Sequence, residues 1–182
     1  MEFPDAHSVV EKDFSWLSGS IGIDATGDWL GEALKAKWIP DRLLAGLGDQ
    51  VSLVSNREEI ETHIFELFKK CDRELHVCTH ESYLLNQIGQ IKQVLVGVKN
   101  PPYLPKLFLY TPDDTVAKTA FALSDLLKIV DIQKTSCEGH FLVFDQHSVL
   151  IFLDDDLTKA QKMLHAESSF AANFLKSLVQ QK

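Results

Sequence analysis

The stretch CEGHFLVFDQHSVLIF, residues 137–152, places a thiol, a carboxylate and two imidazoles around two apolar runs. Glu138 and His140 stand two residues apart, and on one strand they would face the same side. A second group, Thr79-His80-Glu81-Ser82, follows an apolar run and precedes a helical pattern. A third, Asp154-Asp155-Asp156, follows the second apolar run. Imidazole and carboxylate serve general acid–base chemistry, phosphoryl or sugar recognition, and metal binding. The candidate ligand-binding residues are Glu138, His140, His80, Glu81 and Asp155. Glu138 and His140 are expected at a strand edge facing a polar rim, paired across a pocket floor, where exchanges leave folding nearly intact.

Each residue also has an ordinary structural use. His140 can be a core histidine satisfied by a backbone bond. Asp145 suits a turn, Thr79 or Ser82 can cap a helix, and the three aspartates can supply negative charge at a helix start near Leu157. His80, Glu81, His140 and Asp155 are metal-ligand types, but no HxH or HxxxH pair links them, so neither metal nor cofactor is expected. Of three cysteines, Cys78 reads as core and Cys71 as a helix end. Cys137 is the one expected to react, although Glu138 beside it disfavours its thiolate.

The elements that must hold these residues follow from periodicity. Alternating or continuous apolar runs predict strands at 51–54, 74–79, 106–111, 129–134, 140–145 and 148–153, the last two a central antiparallel hairpin turning at Gln146-His147. Helical stripes intervene: Ile60, Ile64, Leu67 and Phe68; Leu84, Ile88, Ile91 and Leu95; Val116, Ala120, Leu123 and Leu127. Ser55 and Glu58 are expected as the first helix's capping box. Residues from Leu157 onward read as one long helix, kinked near Ser168. Alternation of strands and helices predicts an α/β fold with a mixed, mainly parallel sheet flanked by helices. Ligands in such sheets sit beyond the strands' carboxyl ends, which places residues 79–82, 110–114 and 153–156 on one rim.

Residues 1–50 differ in texture: the stretch 18–49 alone holds six of the nine glycines and two of the three tryptophans. Trp29, Leu30, Ala33, Leu34 and Trp38 fall on one helical side before Pro40. We read 1–50 as a helical and turn segment packing on a domain spanning 51–182.

A helix, then KLFLY, then the hairpin GHFLVFDQHSVLIF resembles the phospholipase D-like superfamily over about residues 51–180. The family motif is His-x-Lys-x4-Asp, followed by Gly-Ser and Asn after the second strand. Aligned on Asp145, the nucleophilic His falls on Glu138 and the phosphoryl-binding Lys on His140. The Gly-Ser positions fall on Phe152 and Leu153, and the Asn on Asp155. A carboxylate repels a phosphodiester anion, so the resemblance implies a degenerate site, similar to the effector domains of TrmB-type regulators. It implies a non-catalytic ligand-sensing or protein-interaction module, regulatory in role. The alternative is a phosphodiesterase or nuclease-type hydrolase using His80, His140 and acidic neighbours. Superfamily sites form between two motif-bearing halves, and one half here implies a homodimer.

Charge and length bound the rest. The 182 residues carry 26 acids and 18 bases, a net charge of −8, with bases scattered. Direct nucleic-acid binding is therefore not expected. No apolar run reaches the ~18 residues of a membrane span. The cysteine usage and the absence of a signal-like start point to the cytoplasm. The expected partners are a second copy, another protein or a small-molecule ligand.

Overall fold

The computed structural model describes residues 23–47, 51–96, 105–123, 128–159 and 162–180. Seven strands form one sheet: β1 (Val51–Val54), β2 (Glu74–Cys78), β3 (Lys106–Thr111), β4 (Ile129–Lys134), β5 (Phe141–Phe144), β6 (Ser148–Phe152) and β7 (Met163–Glu167). Among the described residues six helices accompany them: α1 (Ile23–Lys35), α2 (Asp41–Ala45), α3 (Arg57–Lys70), α4 (Ser82–Val96), α5 (Asp114–Ala122) and α6 (Ser169–Gln180). The strand order is β1-β7-β6-β5-β2-β3-β4. The sheet is mixed and the class α/β, as expected, with β5 at its centre.

Its balance differs from the expectation of a mainly parallel sheet. Only β2–β3 and β3–β4 pair in parallel. The pairs β1–β7, β7–β6, β6–β5 and β5–β2 are antiparallel. The cause is β7, which lies in the segment read from sequence as helix. Met, Leu, Ala and Glu favour helix locally, but Met163, Leu164 and Ala166 are buried between β1 and β6. Tertiary pairing overrides local preference here. The helix then begins at Ser169, with the Ser168 hydroxyl accepting the Ala171 amide at 3.1 Å.

Strand alternation divides the core into two layers. Leu75, Val77, Leu142, Phe144, Leu150 and Phe152 face α3, α4 and α5. Cys78, Tyr110, Phe141, Val143, Val149 and Ile151 face α1, α2 and α6. Both faces of β5 and β6 are fully buried, which explains their unbroken apolar runs. Complete burial of one such side chain contributes about 1.5–3 kcal/mol. Trp29, Leu30 and Ala33 of α1 lie in the second layer, and the half-buried Leu34 and Trp38 pack against it.

The cap of α3 lies one residue from the expected place. Asn56, not Ser55, accepts the Glu59 amide, at 2.9 Å. Asn caps as well as Ser, and the shift sets Glu58 and Glu59 in the first turn, where the helix dipole favours them. The hairpin turn comprises residues 145–147, with Asp145 itself at φ 55°. No helix among the described residues is long and apolar enough to cross a membrane.

Candidate functional site

Chain segments beyond β2, β3 and β6, the coil before β5 and the end of α1 enclose a cleft of about 830 Å³. His80 follows β2, Pro112 follows β3, and Asp155 follows β6. Glu138 comes from the coil between β4 and β5, while Lys35, Lys37 and Trp38 come from the end of α1 and the turn after it. One residue from each rim segment anticipated in the sequence thus lines the same space. The lysines and the tryptophan were not anticipated there. Trp38 had the spacing of a core residue, and it does stack on Phe141, with centroids 6.0 Å apart.

His140 lies beneath this cleft, 1% exposed. Its Nε2 is 2.9 Å from the Asp155 carbonyl oxygen, and its Nδ1 is 2.8 Å from the Thr79 hydroxyl. A carbonyl only accepts, so Nε2 carries the hydrogen and Nδ1 receives the Thr79 proton. Burial pushes the His140 pKa down to about 4; the Asp155 carbonyl opposes that shift and His80 adds to it. The ring is therefore neutral near pH 7.

The expected side-by-side arrangement of Glu138 and His140 does not form. Residues 135–140 lie outside the strands, so the two-residue alternation does not apply to them. Glu138 is exposed at the cleft, whereas His140 turns inward to Thr79 and the Asp155 backbone. The expectation that His140 sits at a strand edge facing a polar rim is likewise corrected, and the ring is the core histidine held by a backbone carbonyl that the sequence also allowed. Gly139 permits this turn: a Cβ there would lie 2.2 Å from the Trp38 ring.

His80 is half-buried, its ring centroid 4.2 Å from that of His140. Glu81 accepts the Leu157 amide through Oε2 at 3.0 Å. Its own amide donates to the Thr79 hydroxyl at 3.1 Å. The aspartate triplet divides its work. Asp154 accepts the Lys162 amide at 3.0 Å and Asp156 the Thr158 amide at 3.0 Å. Asp155 meets His140 with its carbonyl and the cleft with its side chain. The segment after it is a single 3-10 turn, Leu157–Lys159, not the expected long helix.

Two further groups bear on chemistry. Cys78 and Cys137 interact, and the Cys78 thiol holds the Cys137 pKa down to about 7 against burial and the nearby Glu138. The same contact, with burial, pushes Cys78 up. The second group, not singled out in the sequence, surrounds His76 in a separate cleft of about 510 Å³. His76 stacks on Phe108 at 4.7 Å, and its Nδ1 is 2.9 Å from the Tyr110 hydroxyl. Its Nε2 lies 3.2 Å from Glu74. Alternation within an apolar strand could have flagged a histidine on a buried face.

No protein-family model matches the chain. No curated protein matches it either. Among solved structures, TrmBL2, an archaeal chromatin protein with a novel mode of DNA binding, aligns over 94% of this chain and 64% of its own, at 11% identity and TM-score 0.43. NucT from Helicobacter pylori aligns over 72% of this chain and 93% of its own, at 9% identity and TM-score 0.49. Phosphatidylserine synthase from Haemophilus influenzae Rd KW20 aligns over 70% and 36%, at 10% identity and TM-score 0.39. At these scores the likenesses do not bear on what this chain does. The expectation that it does not bind nucleic acid directly is withdrawn: one of these neighbours, TrmBL2, is itself a DNA-binding chromatin protein. A whole-chain charge of −8 is a sum, whereas nucleic-acid contact depends on where individual bases lie.

Proposed function

We propose that this chain is a non-catalytic, regulatory ligand-binding module of phospholipase D-like fold. One observation carries the reading. His140, at the position where the family resemblance puts the phosphoryl-binding lysine, is buried and neutral, with both ring nitrogens engaged. It has no positive charge to offer a phosphoryl group. Glu138, at the nucleophile's position, adds a negative charge at the cleft.

The cleft's lining fits a small polar molecule. Lys35 and Lys37 suit an anionic group, Glu138 and Asp155 suit hydroxyls or amines, and Trp38 offers a ring edge or face. In this reading residues 51–182 form the domain, the described residues 23–47 pack on it, and two copies associate. Light scattering at the monomer mass of 20.5 kDa would oppose the dimer.

The test pairs an activity assay with a binding assay. Bis-p-nitrophenyl phosphate should not be turned over, with or without divalent metal. Thermal shift against sugars, sugar phosphates and nucleotides should find a stabilising ligand whose effect is lost in Lys37→Ala or Glu138→Ala. Hydrolysis by the unaltered chain that disappears in His140→Ala would place it among the hydrolases instead.

A further inference from the structure

We propose that His80, Glu81 and His140 bind one divalent transition-metal ion, of the zinc or cobalt class, at the floor of the cleft. A donor atom from each of the three lies within 4.8 Å of the other two. Tetrahedral zinc with bonds near 2.0–2.1 Å sets its donors about 3.4 Å apart. Closing that difference takes a side-chain rotation of roughly an ångström. His80 can supply it: no hydrogen bond holds its side chain among the described residues, and its ring already lies against that of His140.

The surroundings of the other two donors match what metal ligands require. A ligating histidine generally gives its remaining ring N–H to a carbonyl or carboxylate, which fixes the tautomer and aims the free lone pair. The Asp155 carbonyl does this to His140 Nε2, leaving Nδ1 as the donor. The Leu157 amide anchors one oxygen of Glu81 in the same way, leaving the other for the ion.

Nδ1 is engaged by the Thr79 hydroxyl, and this bond is replaceable. The Glu81 carbonyl oxygen lies 3.3 Å from the same hydroxyl. When the ion takes Nδ1, the Thr79 proton turns to that carbonyl, while the hydroxyl keeps accepting the Glu81 amide. No buried polar group is stranded by the exchange. His80 opens onto the cleft, so three protein ligands leave a position for water or a ligand oxygen, the arrangement of open zinc sites. The ion needs no organic ligand, so its uptake can succeed where the ligand-binding reading fails, and the reverse.

The test is a titration of chelator-treated protein with cobalt(II), followed by displacement with zinc(II). One equivalent of cobalt should bind with visible d–d bands, and zinc should remove them. Zinc should raise the melting temperature of the unaltered chain. His80→Ala and Glu81→Gln should each weaken binding about tenfold or more. His63→Ala, which alters the separate His63–His165 pair, and Cys137→Ser should bind like the unaltered chain. Absence of saturable one-equivalent uptake would overturn the site, as would uptake unchanged in His80→Ala or abolished by His63→Ala or Cys137→Ser.

Discussion

The carboxylate of Asp145, at the tip of the central hairpin, accepts the backbone amide of Arg73, 72 residues away in sequence, at 2.8 Å. The same group accepts the Glu74 amide at 3.1 Å and the Asp72 amide at 3.3 Å. The Asp145 amide donates back to the Glu74 carbonyl at 2.8 Å. Asp145 therefore fastens the hairpin to the loop entering β2, and its backbone bonds reach well beyond its own turn. Asp145→Ala strands these amides and places alanine at φ 55°, a position that Asp and Asn tolerate better. We expect a loss of about 2–3 kcal/mol in urea unfolding. Asp145→Asn, which keeps an acceptor oxygen, should lose less than half of that. Equal losses in the two variants would show that the backbone bonds contribute little.

The same cluster makes an acid-sensitive contribution. Burial opposes the Asp145 charge, but the amides of Arg73, Glu74 and Asp72 outweigh it and hold the pKa below the ordinary value. A depressed carboxylate pKa stabilises the fold above the unfolded value of about 3.9, and the benefit is lost as pH falls through the folded value. The stability gap between the unaltered chain and Asp145→Asn should be constant above about pH 5 and close below about pH 4. A gap that does not change with pH would rule out the charge as its source.

His140 has the opposite chemistry and a different window. Its pKa lies near 4 in the fold and about 6.5 in the unfolded chain. The unfolded chain therefore binds more protons between those values, so stability is full above about pH 6.5 and falls as pH drops toward 4. For a group this buried the loss is on the order of 3 kcal/mol. His140→Gln should flatten that part of the profile relative to the unaltered chain. Introducing a lysine here, His140→Lys, should destabilise the fold by several kcal/mol, because an ammonium is far costlier to bury than a neutral imidazole. Glu138→Ala, at an exposed position, should stay within about 0.5 kcal/mol. Urea titrations at pH 4.5 and 7.5 separate these outcomes.

These contrasts mark how far the sequence can be read. Strands whose two faces are both buried, β5 and β6 above all, appear as unbroken apolar runs and were placed to within a residue. β7 was not, because Met163–Glu167 has helical composition and becomes a strand only by pairing with β1 and β6. His80, Glu138 and Asp155 reach one cleft because sheet topology brings strand ends together, and that is legible from element order. The orientation of His140 was not legible. It depends on coil geometry over residues 135–140 and on Thr79, whose hydroxyl meets His140 only in the folded chain. The cleft's lysines come from α1, whose place on the sheet no periodicity encodes.

Gly139 sits where the chain passes against Trp38. An added Cβ would lie 2.2–2.5 Å from three atoms of the rigid indole, so Gly139→Ala must displace the ring or the backbone leading to His140. Overpacking of this kind costs about 1–3 kcal/mol. Trp38 both lines the cleft and stacks on Phe141, so its displacement should change tryptophan emission as well as stability. A companion variant, Trp38→Leu with Gly139→Ala, should recover part of the loss. Failure of that rescue would mean that the backbone, not the indole, is the rigid partner.

The last prediction concerns thiol reactivity. The sequence marks Cys137 as the thiol to react and Glu138 as a brake on its ionisation. The folded chain adds a stronger influence from β2: the buried Cys78 thiol stabilises the Cys137 thiolate and brings its pKa to about 7, with burial and Glu138 opposing. Cys71, by contrast, is pushed up to about 12 by burial first and then by the Asp145 carboxylate. The thiolate is the nucleophile, so iodoacetamide at pH 7.5 should modify Cys137 first and leave Cys71 and Cys78 unlabelled in the folded protein. Peptide mass spectrometry resolves the three sites. Cys78→Ala removes the thiol that favours the charged form, and Cys137 labelling at neutral pH should slow several-fold while its rate at pH 10 changes little. An unchanged rate at pH 7.5 would show that Cys78 does not set the reactivity of Cys137.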